Sequence, residues 1–407
     1  MLYRRTVFAC YAGNFVQAVI LNVTPILFVP LMTQYGLSFE QMGRLVLINF
    51  ITQFTVDILC GRPVDRWGIR PFVVGGHICA GVGLVLFASA PFLFADHIYT
   101  GLMLGTLFFS AGGGLLELLL NPIISGIPGE QKARMLSVMH SFYAWGHVVV
   151  VLLTTLLVFL LGRGRWYFIP AIWSLLPFWN AFNFLRAPLA PRVGEGERTR
   201  LRKLLSRRFF VVCMCAMLLN GAIEVTMGQW ASSFLETAAG LPKVMGDVAG
   251  VSMFACMMGV GRIVYGSLGA KLDLYRAMLV GSALCAACYA AASLCENPVI
   301  SVLACALCGL GVSVMWPGCV AIAAETYPMA GATMFALISG AGDAGSSLGP
   351  WMVGVMADRA AGGLRFGLLL AVLFPAAMYF CVRYLRRHVS AERVPEEAAL
   401  LDGIKSE

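Results

Sequence analysis

Runs of apolar residues about twenty long, separated by short polar connections, fill this chain almost from end to end. A helix needs about 20 such residues to cross the ~30 Å hydrocarbon core of a bilayer. Twelve runs of that kind can be marked: 6–33, 41–61, 71–94, 98–124, 136–161, 166–187, 208–236, 244–266, 276–295, 298–327, 331–357 and 365–387. Lipid offers no water to backbone polar groups, so continuous runs of this length must be helices. Composition agrees, with 59% hydrophobic and 12% charged residues, against about 25% charged in soluble domains. The expected fold is an all-α membrane protein of twelve transmembrane helices.

The runs divide evenly about residues 188–207, which contain Pro and Gly and then many Arg and Lys. The expected organisation is a six-helix bundle over 1–187, a basic linker over 188–207, a second six-helix bundle over 208–388 and a polar, disordered tail over 389–407. An even number of spans puts both termini on one side. Of the 29 lysines and arginines, only Arg163, Arg165, Lys243, Arg359, Arg365 and, near its boundary, Arg44 fall on the opposite side. The positive-inside rule then places both ends in the cytoplasm, and a bacterial inner membrane is the expected location. The net charge of +8 is a property of these loops and carries no nucleic-acid signal.

Arg4 and Arg5 precede the first apolar run, but Asn14, Gln17 and Asn22 interrupt it and no small-residue cleavage site ends it, so a retained helix is expected. The 13 cysteines lie mostly inside spans, as packing residues rather than a disulfide framework. Cys285-x2-Cys288 and Cys305-x2-Cys308 have the spacing of a zinc site, yet they sit in apolar helices without polar neighbours to orient metal ligands. No metal and no cofactor are expected.

One charged turn is distinctive. Residues 61–71 read Gly-Arg-Pro-Val-Asp-Arg-Trp-Gly-Ile-Arg-Pro, and a fainter copy begins at Gly261-Arg262 and keeps Gly269. With Gly61, Asp65, Arg66, Gly68 and Arg70 in place, the first resembles the G-x-x-x-D-R-x-G-x-R loop between helices two and three of the major facilitator superfamily. The resemblance implies two pseudo-symmetric six-helix bundles and alternating access. It also implies a gating role for Asp57, Gly61, Asp65, Arg66, Arg70 and Arg262, and a central cavity lined by spans one, four, seven and ten. Within span four, Glu117-x3-Asn121-Pro122 looks like an element of the fucose and glucose/galactose proton symporters. Gly221-x2-Glu224 with Trp230 in span seven is similar to another element of that group. Their acidic residue in span one has no counterpart here, where Asn22, Val23 and Thr24 are neutral.

An ionisable group at mid-membrane costs about 2.5–3.5 kcal/mol to insert, so each one calls for a reason. Taking a carboxyl out of water disfavours its charged form, which lets it load and release a proton. Glu117 and Glu224, on expected cavity-lining spans, are the first candidates for proton coupling; the competing reading is a protonated carboxyl bonded to a neighbouring helix. His147 and Asp343 are further candidates, each with an interhelical bond as the alternative. Candidate substrate contacts are Asn22, Asn121, Tyr143, Trp145, Gln229, Trp230 and Trp316. Amides and carboxyls pair with hydroxyls, and rings stack on the apolar faces of a sugar.

No Lys or Arg falls at the middle of a span, so the expected substrate is a small neutral or cationic molecule, carried by a functional monomer. The leading expectation is proton-coupled symport of a sugar or similar small neutral metabolite. A proton-coupled drug or cation exporter is the alternative. Exporters of this superfamily carry Gly-x3-Gly-Pro in span five, whereas here Gly345-x3-Gly349-Pro350 stands in span eleven. A non-transporting sensor would need a signalling domain, for which linker and tail leave no room. Nothing in the sequence resembles a catalytic constellation, so no enzyme is expected.

Overall fold

In the computed structural model, residues 3–125, 127, 132–189, 204–268, 273–327 and 331–404 are described. They are almost wholly helical. The first half contains α1 (Arg4–Ile26), α2 (Phe28–Tyr35), α3 (Phe39–Trp67), α4 (Ile69–Leu93), α5 (Ile98–Ser125), α6 (Lys132–Leu161), α7 (Phe168–Trp173) and α8 (Leu175–Arg186). In the second half, α9 (Arg208–Thr237) is followed by a short turn and a π-helical segment, Gly246–Ser252, that runs into α10 (Met253–Leu268). Then come α11 (Leu274–Leu294), α12 (Pro298–Val312), α13 (Met315–Thr326), α14 (Gly331–Arg359), α15 (Gly363–Ala371) and α16 (Leu373–Ile404). Ten helical stretches are long and apolar enough to cross a membrane. The apolar Trp145–Leu161 portion of α6 and the 29-residue α14 complete twelve passes.

Proline decides where a pass breaks. Passes one, six, ten and twelve are each two helices, and Pro30, Pro177, Pro317 and Pro375 each stand three residues into the second piece. Proline has no N–H for the carbonyl four residues back and its ring crowds that carbonyl, so the ladder parts there. Pass ten is cut at Ser313 and Val314 for this reason, and its freed carbonyl reappears below.

Two six-helix bundles result. In the first, α4 packs on α5 and α8, α3 on α5, and α1 on α6 and α8. In the second, α9 packs on α14 and α16, α11 on α12 and α16, and α10 on α12. Between the bundles, α3 lies along α14 and α6 along the π-helical segment, with α1 meeting α9. Passes two and eleven thus pair as passes eight and five do, as a pseudo-twofold axis requires. Close packing uses small residues: a Cβ on Gly345 would strike the backbone carbonyl of Leu218, and one on Gly221 the carbonyl of Gly342.

The expected disordered tail is corrected by the structure. It does not leave the fold as irregular chain; α16 continues through it to Ile404. Ala391, Glu392, Glu396, Glu397, Ala398, Ala399 and Leu400 are strong helix formers, and they carry α16 past the apolar span, which ends at Ser390. Most of the basic linker, 190–203, lies outside the described residues.

Candidate functional site

Contacts between helices fix which residues share a level in the bundle. Gln17 of α1 lies against Gly113 of α5, Gly13 against Leu120, and Ala18 against Gly146 of α6. Gln229 of α9 donates to the Leu21 carbonyl (3.1 Å). Interpolating between these contacts places Gln17, Glu117, Tyr143, His147 and Glu224 near one depth, about half-way along their helices. Tyr143 is within electrostatic reach of Glu117, Glu224 and Arg262, which puts the four groups in one neighbourhood.

Most of the polar atoms at this level lack partners. Gln17 Oε1, Asn121 Oδ1, His147 Nε2, both ends of the Asn220 amide and Glu224 Oε2 are buried without a hydrogen bond. Asn220 sits one turn before Glu224 and beside its carboxyl, but not in bonding geometry. Buried polar groups in folded proteins are almost always paired, and leaving one unpaired costs about 1–3 kcal/mol. Such a collection at one depth is what a site for water or a polar ligand requires.

Arg262 enters this cluster from α10. Its Nη2 lies 3.9 Å from Glu224 Oε1, with 40% of its side chain exposed and 20% of that of Glu224. Its Nε donates to the Ser313 carbonyl at 3.4 Å, the oxygen that Pro317 leaves free. Gly261 makes the approach possible, because a Cβ there would collide with the Ser313 side chain. The expectation that no cation reaches mid-depth is therefore corrected. Arg262 belongs to the copy of the charged turn, but its long side chain climbs one helix turn to the carboxyl.

The end of the molecule remote from both termini is arranged differently. Lys243 Nζ lies 2.5 Å from Asp247 Oδ1 and 2.8 Å from Ser232 Oγ, and Ser232 also donates to Asp247. Thr155 of α6 donates to the other carboxylate oxygen of Asp247 (2.7 Å), so the network crosses between the bundles. All four side chains are buried. Nearby Arg163 pairs with Glu236, also across the bundles (2.5 Å). On the opposite seam Asp358 of α14 accepts from the first two N–H groups of α3, Phe39 (3.0 Å) and Glu40 (2.6 Å). Carboxylates are favoured there by the unpaired N–H groups of a helix start. Trp351 donates to Glu40 (3.0 Å), and Trp230, packed on Phe28 and Phe39, donates to the Pro350 carbonyl (2.9 Å). Apart from the bonds of Trp230, Lys243 and Ser232, which stay within the second bundle, these polar bonds cross between the bundles and lie at mid-depth or towards the far end.

A family profile described as Major Facilitator Superfamily matches residues 7–350 and 251–405. The chain belongs to this superfamily. An uncharacterized MFS-type transporter of Yersinia pestis is 23% identical over 362 residues, spanning 84% of this chain and 86% of that one. Among solved structures, a bacterial homologue of the human lysosomal transporter Spinster, in an inward-facing and occupied conformation, superposes with a TM-score of 0.77. Identity there is 14%, over 97% of this chain and 99% of that one. The D-xylose–proton symporter gives 0.74 at 13% identity over 92% and 97%. The Escherichia coli fucose:proton symporter gives 0.64 at 14% identity over 95% and 99%. This MFS transporter is a multi-pass membrane protein built as the resemblance of its 61–71 turn implies.

The transporter's fold sorts the residues that the sequence singles out. Glu117, Tyr143 and Glu224 come together in the cluster, and Asn121 and His147 stand one helix turn on from Glu117 and Tyr143, on the same helix faces. Asn22 is buried and donates to the Ala18 carbonyl of its own helix (2.8 Å). Gln229 and Trp230 belong to the junction between bundles rather than the cluster. Trp145 is 69% exposed and shares a stripe with Val149, Leu152, Leu156 and Leu160, opposite to Tyr143 and His147 on the helix. That stripe faces lipid, which corrects its assignment to substrate. Trp316 rests on Gly342, beside the buried Asp343. Arg70 donates to the Leu185 and Ala187 carbonyls (2.9 and 2.8 Å), tying the start of α4 to the end of α8 within one bundle, and Arg66 is exposed. The side chains of Asp57 and Asp65, and the surroundings of Gly61, lie outside what the structure describes. Sequence reading missed the far-end network altogether, although Lys243 and Asp247 at i, i+4 inside an apolar run were a signal for a buried pair.

Proposed function

We propose that this MFS transporter carries out proton-coupled symport of a sugar or similar small hydroxyl-bearing metabolite by alternating access. The observation that carries the reading is the mid-depth set of unpaired buried polar atoms on α1, α5, α6 and α9, the Glu224 carboxyl among them, with the exposed Glu117 carboxyl at the same depth. Acceptors dominate that set, and a polyhydroxylated molecule supplies the donors they lack. The fucose and xylose symporters share the fold and lend support by analogy. Glu117 and Glu224 change protonation as the bundles rock, so proton and solute share one cavity. With the basic end taken as cytoplasmic, the far-end bonds hold the external side shut, and the cavity opens inwards. Asp343 takes no part in this scheme and is assigned to the packing of α14.

Purified protein in liposomes with an imposed pH gradient, offered a panel of labelled sugars and hydroxy acids, tests the reading. The expected result is gradient-dependent accumulation of at least one member, abolished by a protonophore. Accumulation of none of them overturns it.

A further inference from the structure

Arg262 has more capacity than its partners use. A guanidinium carries five N–H donors. One reaches the carbonyl freed by Pro317 at 3.4 Å, another faces Glu224 at a loose 3.9 Å, and two-fifths of the side chain stays open. Glu224 is equally underused, since its Oε2 has no partner. A well-made structural Arg–carboxylate pair is bidentate and close; this one is neither. Tyr143 is within electrostatic reach of both groups and of Glu117, and Asn220, one helix turn before Glu224, has an unpaired amide.

We propose that the substrate is a hydroxylated monocarboxylate, that Arg262 is the residue that takes its carboxylate, and that a proton on Glu224 is what releases Arg262 to do so. The proposal rests on reading the mid-depth cluster as the substrate site. Charge balances: the Glu224–Arg262 pair is neutral, and so is the loaded site of protonated Glu224, Arg262 and a bound anion. At this pair, one proton therefore enters with one carboxylate, and neither alone is well accommodated there. The hydroxyls of the same molecule supply donors to the unpaired acceptors. A phosphate ester, with nearly two negative charges, would find one cation among the described residues of the cluster, and is disfavoured. The groups acting on Glu224 are Arg262 from α10 and Asn220 from its own helix; Tyr143 from α6 is within electrostatic reach of Glu224, Arg262 and Glu117 of α5.

The test measures binding to the purified transporter by calorimetry at several pH values. The probes are gluconate, galactonate and glycerate, with galactose and xylose as neutral counterparts and glucose 6-phosphate as the dianion. The expected result is that a carboxylate binds, the neutral sugars and the phosphate ester bind weakly, and carboxylate affinity rises as pH falls by up to ~10-fold per unit, the limit for one linked proton. Arg262→Gln should weaken the carboxylate by roughly 30-fold or more, as truncating one partner of a desolvated charge pair does. Arg262→Lys should recover part of the loss. Glu224→Gln, already neutral, should keep carboxylate binding and flatten its pH dependence, which separates a substrate role for Arg262 from a merely structural one. Thermal unfolding of each variant checks that it is folded. A carboxylate whose affinity is unchanged in Arg262→Gln overturns the proposal. So does a neutral sugar or phosphate ester binding in preference to every carboxylate, an outcome that leaves proton-coupled transport standing. Absence of proton-linked uptake of any probe in liposomes removes the transport reading as well.

Discussion

The far-end seam and the mid-depth cluster are both polar regions inside an apolar protein, and they differ in how far their atoms are satisfied, Glu236 Oε2 being the unpaired carboxylate oxygen at the seam. At the seam, Asp247 holds Lys243, Ser232 and Thr155, and Asp358 holds two backbone N–H groups of α3. In the cluster, five side chains from four helices end in buried atoms with no partner. Partners close at hand make a polar group part of the scaffold; their absence leaves it available to something that comes and goes. The seam therefore reads as the structure that keeps one side shut, and the cluster as the place where solute is met.

Breaking the cluster should have the largest consequence for activity. Glu117→Gln is expected to cut gradient-driven accumulation by about 100-fold, towards the upper range for coupling between two sites, while counterflow exchange without a gradient persists. Loss of both in liposome assays would move Glu117 from proton coupling to substrate binding. Breaking the seam should instead cost stability. Asp247→Ala strands Lys243 as a buried charge, at about 3–5 kcal/mol, visible as a lowered melting temperature. The double change Lys243→Met with Asp247→Leu should recover most of that. Equal melting temperatures for the single variant and the parent would contradict the assignment.

Asp358→Ala is a milder injury to the same seam, since Ser38 and Gln41 also cap α3. A loss of about 1 kcal/mol, typical of a cap, is expected. Spin labels on the far-end loops should report a larger population with those loops apart, and an unchanged distance distribution would count against a locking role. Trp145→Ala on the lipid-facing stripe should do least, within about 0.5 kcal/mol in stability and with unaltered uptake. A marked drop in uptake would return Trp145 to the substrate site.

These differences are unevenly legible in the sequence. Apolar runs and proline positions set the passes and their breaks, because bilayer thickness and backbone chemistry act locally. Glu117, Asn121 and Glu224 stand out as expensive groups in an apolar setting. Which way a ring points is a matter of helix phase: Tyr143 and Trp145 are two residues apart and face opposite environments. Arg262 is harder still to place. Its position depends on Gly261 admitting Ser313, on Pro317 freeing a carbonyl far along the chain, and on a side chain long enough to span a helix turn. The seam stays hidden because Asp247 meets Thr155, and Asp358 meets Phe39, only when the two bundles dock.

The distinction between satisfied and unsatisfied groups is tested most directly at Asn220, whose amide has no partner at either end. Substrate affinity and melting temperature should be measured together for Asn220→Ala, with the solute identified by the uptake panel. Affinity is expected to be at least ~5-fold weaker, as for one lost hydrogen bond of about 1 kcal/mol. The melting temperature should be unchanged, or raised by removal of an unpaired buried amide. Unchanged affinity with a lowered melting temperature would contradict that distinction, and would make the cluster part of the scaffold.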